Sequence, residues 1–208
     1  MTEQEWLACT DPRKMLEALQ GKASDRKLRL FACACCRRGW PLLADERSRQ
    51  AVEVAEQYAD GIVNGRGLRF AFSCAADAFA YAASAHTADA QAAAGAANAA
   101  RPEAGYYARY VTPRKEHPGF LRDLFGPLPF RPATVSPAWR TPQVVALAQA
   151  AYDERELPAG TLDAGGFAVL ADALEEAGCA DPALLNHCRR PGVHVRGCWM
   201  VDLLLGQL

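Results

Sequence analysis

The sequence predicts an all-α protein, an irregular bundle of about eight helices, on three observations. Helix-starting signals of the form Ser, Thr or Asp followed by Pro or Glu recur along the chain, one stretch is half alanine, and no segment alternates apolar with polar residues as a strand does. The 208 residues (22.5 kDa) suffice for one full-sized domain that buries on the order of 70% of the surface its unfolded chain exposes. The expected organisation is a single domain: an N-terminal helical lobe with an Ala-rich rod (1–100), an ordered arm rich in proline and aromatics (101–141) and a C-terminal helical lobe (142–208).

Thr2 and Glu5 form a capping box, in which hydroxyl and carboxylate each satisfy an orphan amide of a first helical turn. Asp11-Pro12 supplies an N-cap with proline at the first helical position, and Gly21 falls where that helix should stop. Ser24 caps a longer helix to about Trp40 that gathers Leu28, Phe31, Ala32, Cys35 and Cys36 on one side and Arg26, Arg29 and Arg37 on the other. Asp45 starts a fourth helix. Between Leu68 and Ala100, 17 of 33 residues are alanine, the best helix former, so a long helix or helical pair is expected, with Leu68, Phe72, Phe79 and His86 on one stripe and Ala76, Ala83 and Ala90 beside them.

Eight of the 13 prolines lie in residues 101–142 beside Tyr106, Tyr107, Tyr110, Phe120, Phe125, Phe130 and Trp139. Proline denies this segment long regular structure, while its aromatics are too many for a solvated linker. One short helix is expected near Gly119 to Phe125. Thr141-Pro142 opens the next helix, a further one spans about Gly166 to Ala177 with Gly178 as its stop, and Asp181-Pro182 repeats the cap-plus-proline start. After Pro191-Gly192, a helix from about Arg196 to Leu205 is apolar nearly all round, so the fold or a partner must bury it.

A formal charge of −1 and a pI near 6.4 provide no global field to gather a polyanion, so no nucleic-acid partner is expected. The first residues lack the basic and apolar pattern of a secretory signal, and no run approaches the length of a membrane span, which predicts a cytoplasmic protein with no membrane partner. Eight cysteines in such a protein are expected as reduced thiols, each behaving first as a small buried hydrophobe. No phosphate-cradling glycine loop and no nucleophile elbow is present.

Cys179, His187, Cys188, His194 and Cys198 concentrate zinc-type donors in one short segment. Cys188 projects with Leu184 and Leu185 and reads as core, which leaves Cys179, His187, His194 and Cys198 as candidate ligands of a structural zinc. The paired Cys-x2-4-Cys knuckle is missing, so plain burial of these cysteines competes with that reading. Cys33, flanked four residues either side by Arg29 and Arg37, is the reactive-thiol candidate if it is exposed, because nearby cations favour thiolate. A Cys–His catalytic pairing of Cys33 or Cys198 with His117, His187 or His194 would need hydrogen-bond reach.

Phe31-Ala32-Cys33-Ala34-Cys35-Cys36-Arg37-Arg38, Asp45-Glu46-Arg47-Ser48, Leu121-Arg122-Asp123-Leu124-Phe125-Gly126, Tyr152-Asp153-Glu154-Arg155, Leu170–Gly178 and His194-Val195-Arg196-Gly197-Cys198-Trp199 together resemble a heavily duplicated bacterial protein family that has no assigned activity. The likeness covers residues 1–60 and 117–208, and residues 170–185 also resemble the short repeat-companion domain. These resemblances imply a cytoplasmic bacterial protein and no catalytic residue. The expected role is a non-enzymatic interaction or scaffold module that binds another protein or itself through the Ala-rich rod, the aromatic arm or the apolar last helix. The alternative is a zinc-stabilised or thiol-reactive protein, hydrolytic or redox, built on the C-terminal Cys/His cluster.

Overall fold

The computed structural model describes residues 1–84, 90–102 and 114–207, and among them it contains eleven α-helices and a single sheet of two short strands. His86, Tyr106, Tyr107 and Tyr110 lie outside the described residues. The chain divides into two compact units, Met1 with Cys9–Pro118 and Thr2–Ala8 with Gly119–Leu208. The second half of the expected arm therefore belongs with the C-terminal helices, as does the first helix, α1 (Glu3–Ala8).

The first unit holds α2 (Pro12–Ala18), α3 (Asp25–Arg38), α4 (Glu46–Ala59), α5 (Gly65–Ser84) and α6 (Ala90–Ala99). The side chains of Asp11, Ser24 and Asp45 accept from backbone amides of the first turns of α2, α3 and α4, as their cap positions predict. Helices α3, α4 and α6 pack on one another, and α5 runs along α4 and α6. The buried stripe of α5 is Leu68, Ala71, Ala75, Ala78 and Ala82, whereas Phe79 is exposed. Alanine, not phenylalanine, faces the neighbours because a methyl group lets two helix backbones approach closely.

The arginine face of α3 is not a solvated surface. Arg29 is buried and donates to the carbonyls of Ala99 (2.8 Å), Arg101 (2.6 Å) and Pro102 (3.1 Å), so its charge sits at the end of α6, where carbonyls lack intrahelical partners and a cation is favoured. Arg37, also buried, makes a two-pronged ion pair with Glu56 on α4 (3.0 and 2.8 Å) beneath the Trp40 ring. Helix α3 is thus enclosed on all sides, and Cys33 with it. Its thiol is 1% exposed, and burial, reinforced by the Glu56 carboxylate, raises its pKa well above the ordinary thiol range against the lowering effect of Arg29 and Arg37. The exposure on which its reactivity depended is absent.

The second unit holds α1, α7 (His117–Phe125, from Gly119 onward), α8 (Pro142–Asp153), β1 (Thr161–Leu162), α9 (Ala164–Glu176), α10 (Pro182–Arg189), β2 (His194–Val195) and α11 (Trp199–Leu205). The capping box of α1 forms, with Thr2 N–H donating to Glu5 at 2.7 Å and Glu5 N–H to the Thr2 hydroxyl at 3.2 Å. Helix α9 packs between α8 and α10, and α11 lies against α8. The last helix is buried within this unit from Trp199 to Leu204, so its all-round apolarity is consumed by the unit's own core of Val144, Tyr152, Phe167, Leu170 and Leu174. Strands β1 and β2 pair antiparallel, with Leu162 opposite His194; two residues are too few for alternation to show in a sequence. Gly126, at φ +48°, lies so close to the Trp199 ring that a Cβ would sit 2.5 Å from it, so glycine is required there.

Candidate metal centre

Four elements of the second unit converge on one point. Helix α7 contributes Asp123, α10 contributes His187, β2 contributes His194, and the N-cap of α11 is Cys198. One ligand atom from each lies within 4.8 Å of all the others, and the group is buried save for part of His187. These four residues form a group able to hold a metal ion.

Each donor is fixed by its surroundings. Asp123 occupies a core-facing position three residues after the buried Phe120, with Leu121 and Leu124 buried alongside. One of its oxygens lies 2.6 Å from His194 Nδ1 and 3.3 Å from His187 Nε2, and the other accepts from the Val195 amide at 2.8 Å. Burial by itself would raise its pKa, but the hydrogen bonds from His187 and His194 outweigh that and hold it down at about 2. Asp123 is therefore a carboxylate at any physiological pH.

His194 is held by the pairing of β2 with β1 and by the Phe167 ring, on which it stacks at 4.0 Å with 11° between planes. Trp199 donates its indole N–H to Nδ1 of His187 at 3.2 Å. Tryptophan can only donate, so the proton of neutral His187 resides on Nε2, between Asp123 and the Cys198 sulfur at 3.1 Å. Cys198 is presented by a turn at Gly197, whose φ of +89° suits glycine. The Gly197 amide donates to the Tyr152 hydroxyl at 3.1 Å, and that hydroxyl donates to buried Asp202 at 2.7 Å. Tyr152 thus pins the turn that carries Cys198.

Three of the four residues expected from sequence, His187, His194 and Cys198, stand in this group; Cys179 does not, and Asp123 does. Cys179 follows Gly178 (φ +84°), its amide donates to the Leu174 carbonyl and that of Gly178 to the Glu175 carbonyl. This is the Schellman ending of a helix, whose last residue characteristically turns inward to make an apolar contact. Cys179 accordingly lies in the apolar core with Leu184 and Cys188. Cys188 is core as expected, its thiol pushed up to about 12 by burial. Asp123 carried one legible signal, an acid set among Phe120, Leu121, Leu124 and Phe125 on a short helix.

The Cys198–His187 contact is not a nucleophile–base–acid relay. Such a relay places nucleophile and orienting carboxylate on opposite imidazole nitrogens. Here Asp123 approaches the same nitrogen as Cys198, the other faces Trp199, and Cys198 is wholly buried. Beside the group is a cavity of about 480 Å³, with Asp123, His187, His194 and Trp199 in its wall.

No helix among the described residues is long and apolar enough to cross a membrane. No protein-family model, curated protein or solved structure matches the chain.

Proposed function

We propose that the second unit is a zinc-binding domain in which Asp123, His187, His194 and Cys198 hold one Zn²⁺ that braces the junction of α7, α10, β2 and α11. The observation that supports this reading is the convergence of four zinc-type donors from four separate elements. Thiolate and imidazole favour zinc over the hard cations calcium and magnesium. Two anionic ligands and two neutral imidazoles would balance a divalent cation, making a neutral centre suited to burial. Four protein ligands complete a tetrahedron and leave no open position, the pattern of a structural site. Holding zinc would require the His187 proton to move from Nε2 to Nδ1 and the Cys198 thiol to give up its proton to solvent.

The test is metal analysis of chelator-free protein reconstituted with zinc, with melting curves before and after EDTA. About one equivalent of zinc and a lower melting temperature in EDTA are expected, because structural zinc contributes roughly 10 kcal/mol or more of apparent folding free energy. Cys198→Ser and His194→Ala should lose the metal, and Cys179→Ser should keep it. Less than about a tenth of an equivalent with an unchanged melt would sink the reading.

A second reading concerns the first unit. Ile62, Phe70 and Tyr81 are 71%, 72% and 70% exposed, and Phe70 and Tyr81, three helical turns apart, share one stripe of α5. Such apolar exposure supports a non-enzymatic interaction role through a second copy of the chain. Analytical ultracentrifugation should then show concentration-dependent association that Phe70→Ser with Tyr81→Ser abolishes; a strict monomer would count against it.

A further inference from the structure

We infer that the cavity beside Asp123, His187 and His194 is a binding site for a small organic anion, its acid group held by arginine. At about 480 Å³ it falls within the size range of small-molecule sites, roughly 300 to 1,000 Å³.

Two independent observations point to a ligand. The first is Trp6. It lines the cavity and is 0% exposed, and its indole N–H meets no acceptor among the described residues. A buried donor left in this way costs roughly 1 to 3 kcal/mol, a cost removed by a ligand that brings an acceptor. The second is charge. Arg131 and Arg190 line the cavity with two carboxylates, Glu3 and Asp123. Both carboxylates are engaged, Glu3 by Arg131 at 3.2 Å and Asp123 by the histidines. Neither is therefore left to neutralise Arg190. A guanidinium presents paired donors that match a carboxylate or phosphate, and Arg190 stands at the exposed end of α10, next to Pro191 and Gly192, which also line the cavity.

This site is separate from the zinc reading, since Trp6, Arg131 and Arg190 are not among the metal donors. It is tested on the full chain reconstituted with zinc, by calorimetric titration with benzoate and phenyl phosphate, with neutral phenol and inorganic phosphate as controls. At least one of the two anionic organic probes should bind, and phenol should not. Arg190→Gln and Trp6→Phe should each weaken binding roughly tenfold, the loss expected for one charge-assisted or buried hydrogen bond. Arg190 is on the surface, so that variant reports even if Trp6→Phe unfolds the unit. The inference is overturned if neither organic anion binds at about 10 mM, if both variants bind undiminished, or if inorganic phosphate binds as tightly as phenyl phosphate.

Discussion

The indole N–H of Trp199 points at Nδ1 of His187, 3.2 Å away, and so keeps the histidine's proton on the nitrogen that faces Asp123 and Cys198. A metal on Nε2 requires the opposite tautomer, in which two N–H groups would confront each other. Trp199→Phe removes that opposition. Zinc affinity, measured by competition with a chromophoric chelator, should tighten about three- to tenfold, the equivalent of one net hydrogen bond. The same variant should lose some stability, because the Trp199 ring fills the space over Gly126. Weaker zinc binding would show that Trp199 orients the ligand instead of opposing it.

Tyr152 joins α8 to the turn that presents Cys198. Tyr152→Phe keeps the ring in the core and deletes only the hydroxyl that accepts from Gly197 and donates to Asp202. Chemical denaturation should register a loss of roughly 1 to 3 kcal/mol, the cost of leaving buried polar groups without a partner. Zinc affinity should fall as well, which simple core destabilisation at a distance from the site would not produce.

In the first unit the Arg37–Glu56 pair is buried on both sides, at 3% and 5% side-chain exposure. Removing one partner strands the other charge. Glu56→Ala should therefore cost about 3 to 5 kcal/mol, whereas the double change Arg37→Met with Glu56→Leu should recover most of that loss. Equal destabilisation by the single and double variants would argue that packing, not the stranded charge, dominates.

His117 is buried against the edge of Phe31, and burial, helped by the Arg114 charge, lowers its pKa to about 4. Between its unfolded value near 6.5 and about 4 the unfolded chain binds the extra proton, so stability must fall as pH drops through this window and level off below it. The loss attributable to His117 is roughly 3 kcal/mol. Urea titrations from pH 7.5 to 4.5 should show it, and His117→Phe should flatten that part of the profile.

Thiol accessibility separates the cysteines. Cys9 and Cys74 are half-buried, and Cys33, Cys35 and Cys36 are enclosed in α3. Native protein treated with a thiol-reactive disulfide should be modified at Cys9 and Cys74 first, and Cys33 should react only on unfolding. Rapid modification of Cys33 would contradict its raised pKa.

Helix starts were legible because a cap is a local device. The side chains of Thr2, Asp11, Ser24, Asp45, Thr141 and Asp181 each bond an amide two or three residues ahead, and nothing distant is needed to make that contact. The same locality explains the failures. Periodicity on α5 marks which residues share a face, yet whether Phe79 or Ala78 faces inward depends on how closely α4 and α6 approach. The partners of the α3 arginines could not be read from their own helix because the acceptors, Glu56 and the carbonyls of Ala99, Arg101 and Pro102, lie 19 to 73 residues away.

By itself, then, the sequence determined that the chain is helical, where most helices begin, and that its last thirty residues concentrate zinc-type donors. Only the tertiary structure decided which donors meet. Cys179 is near His187 along the chain but is turned into the core by a helix ending at Gly178, and Asp123 reaches His194 across 71 residues because α7 and β2 pack at one point. A coordination sphere is a set of distances of a few ångströms, and such distances between remote residues arise from packing, which no local pattern records.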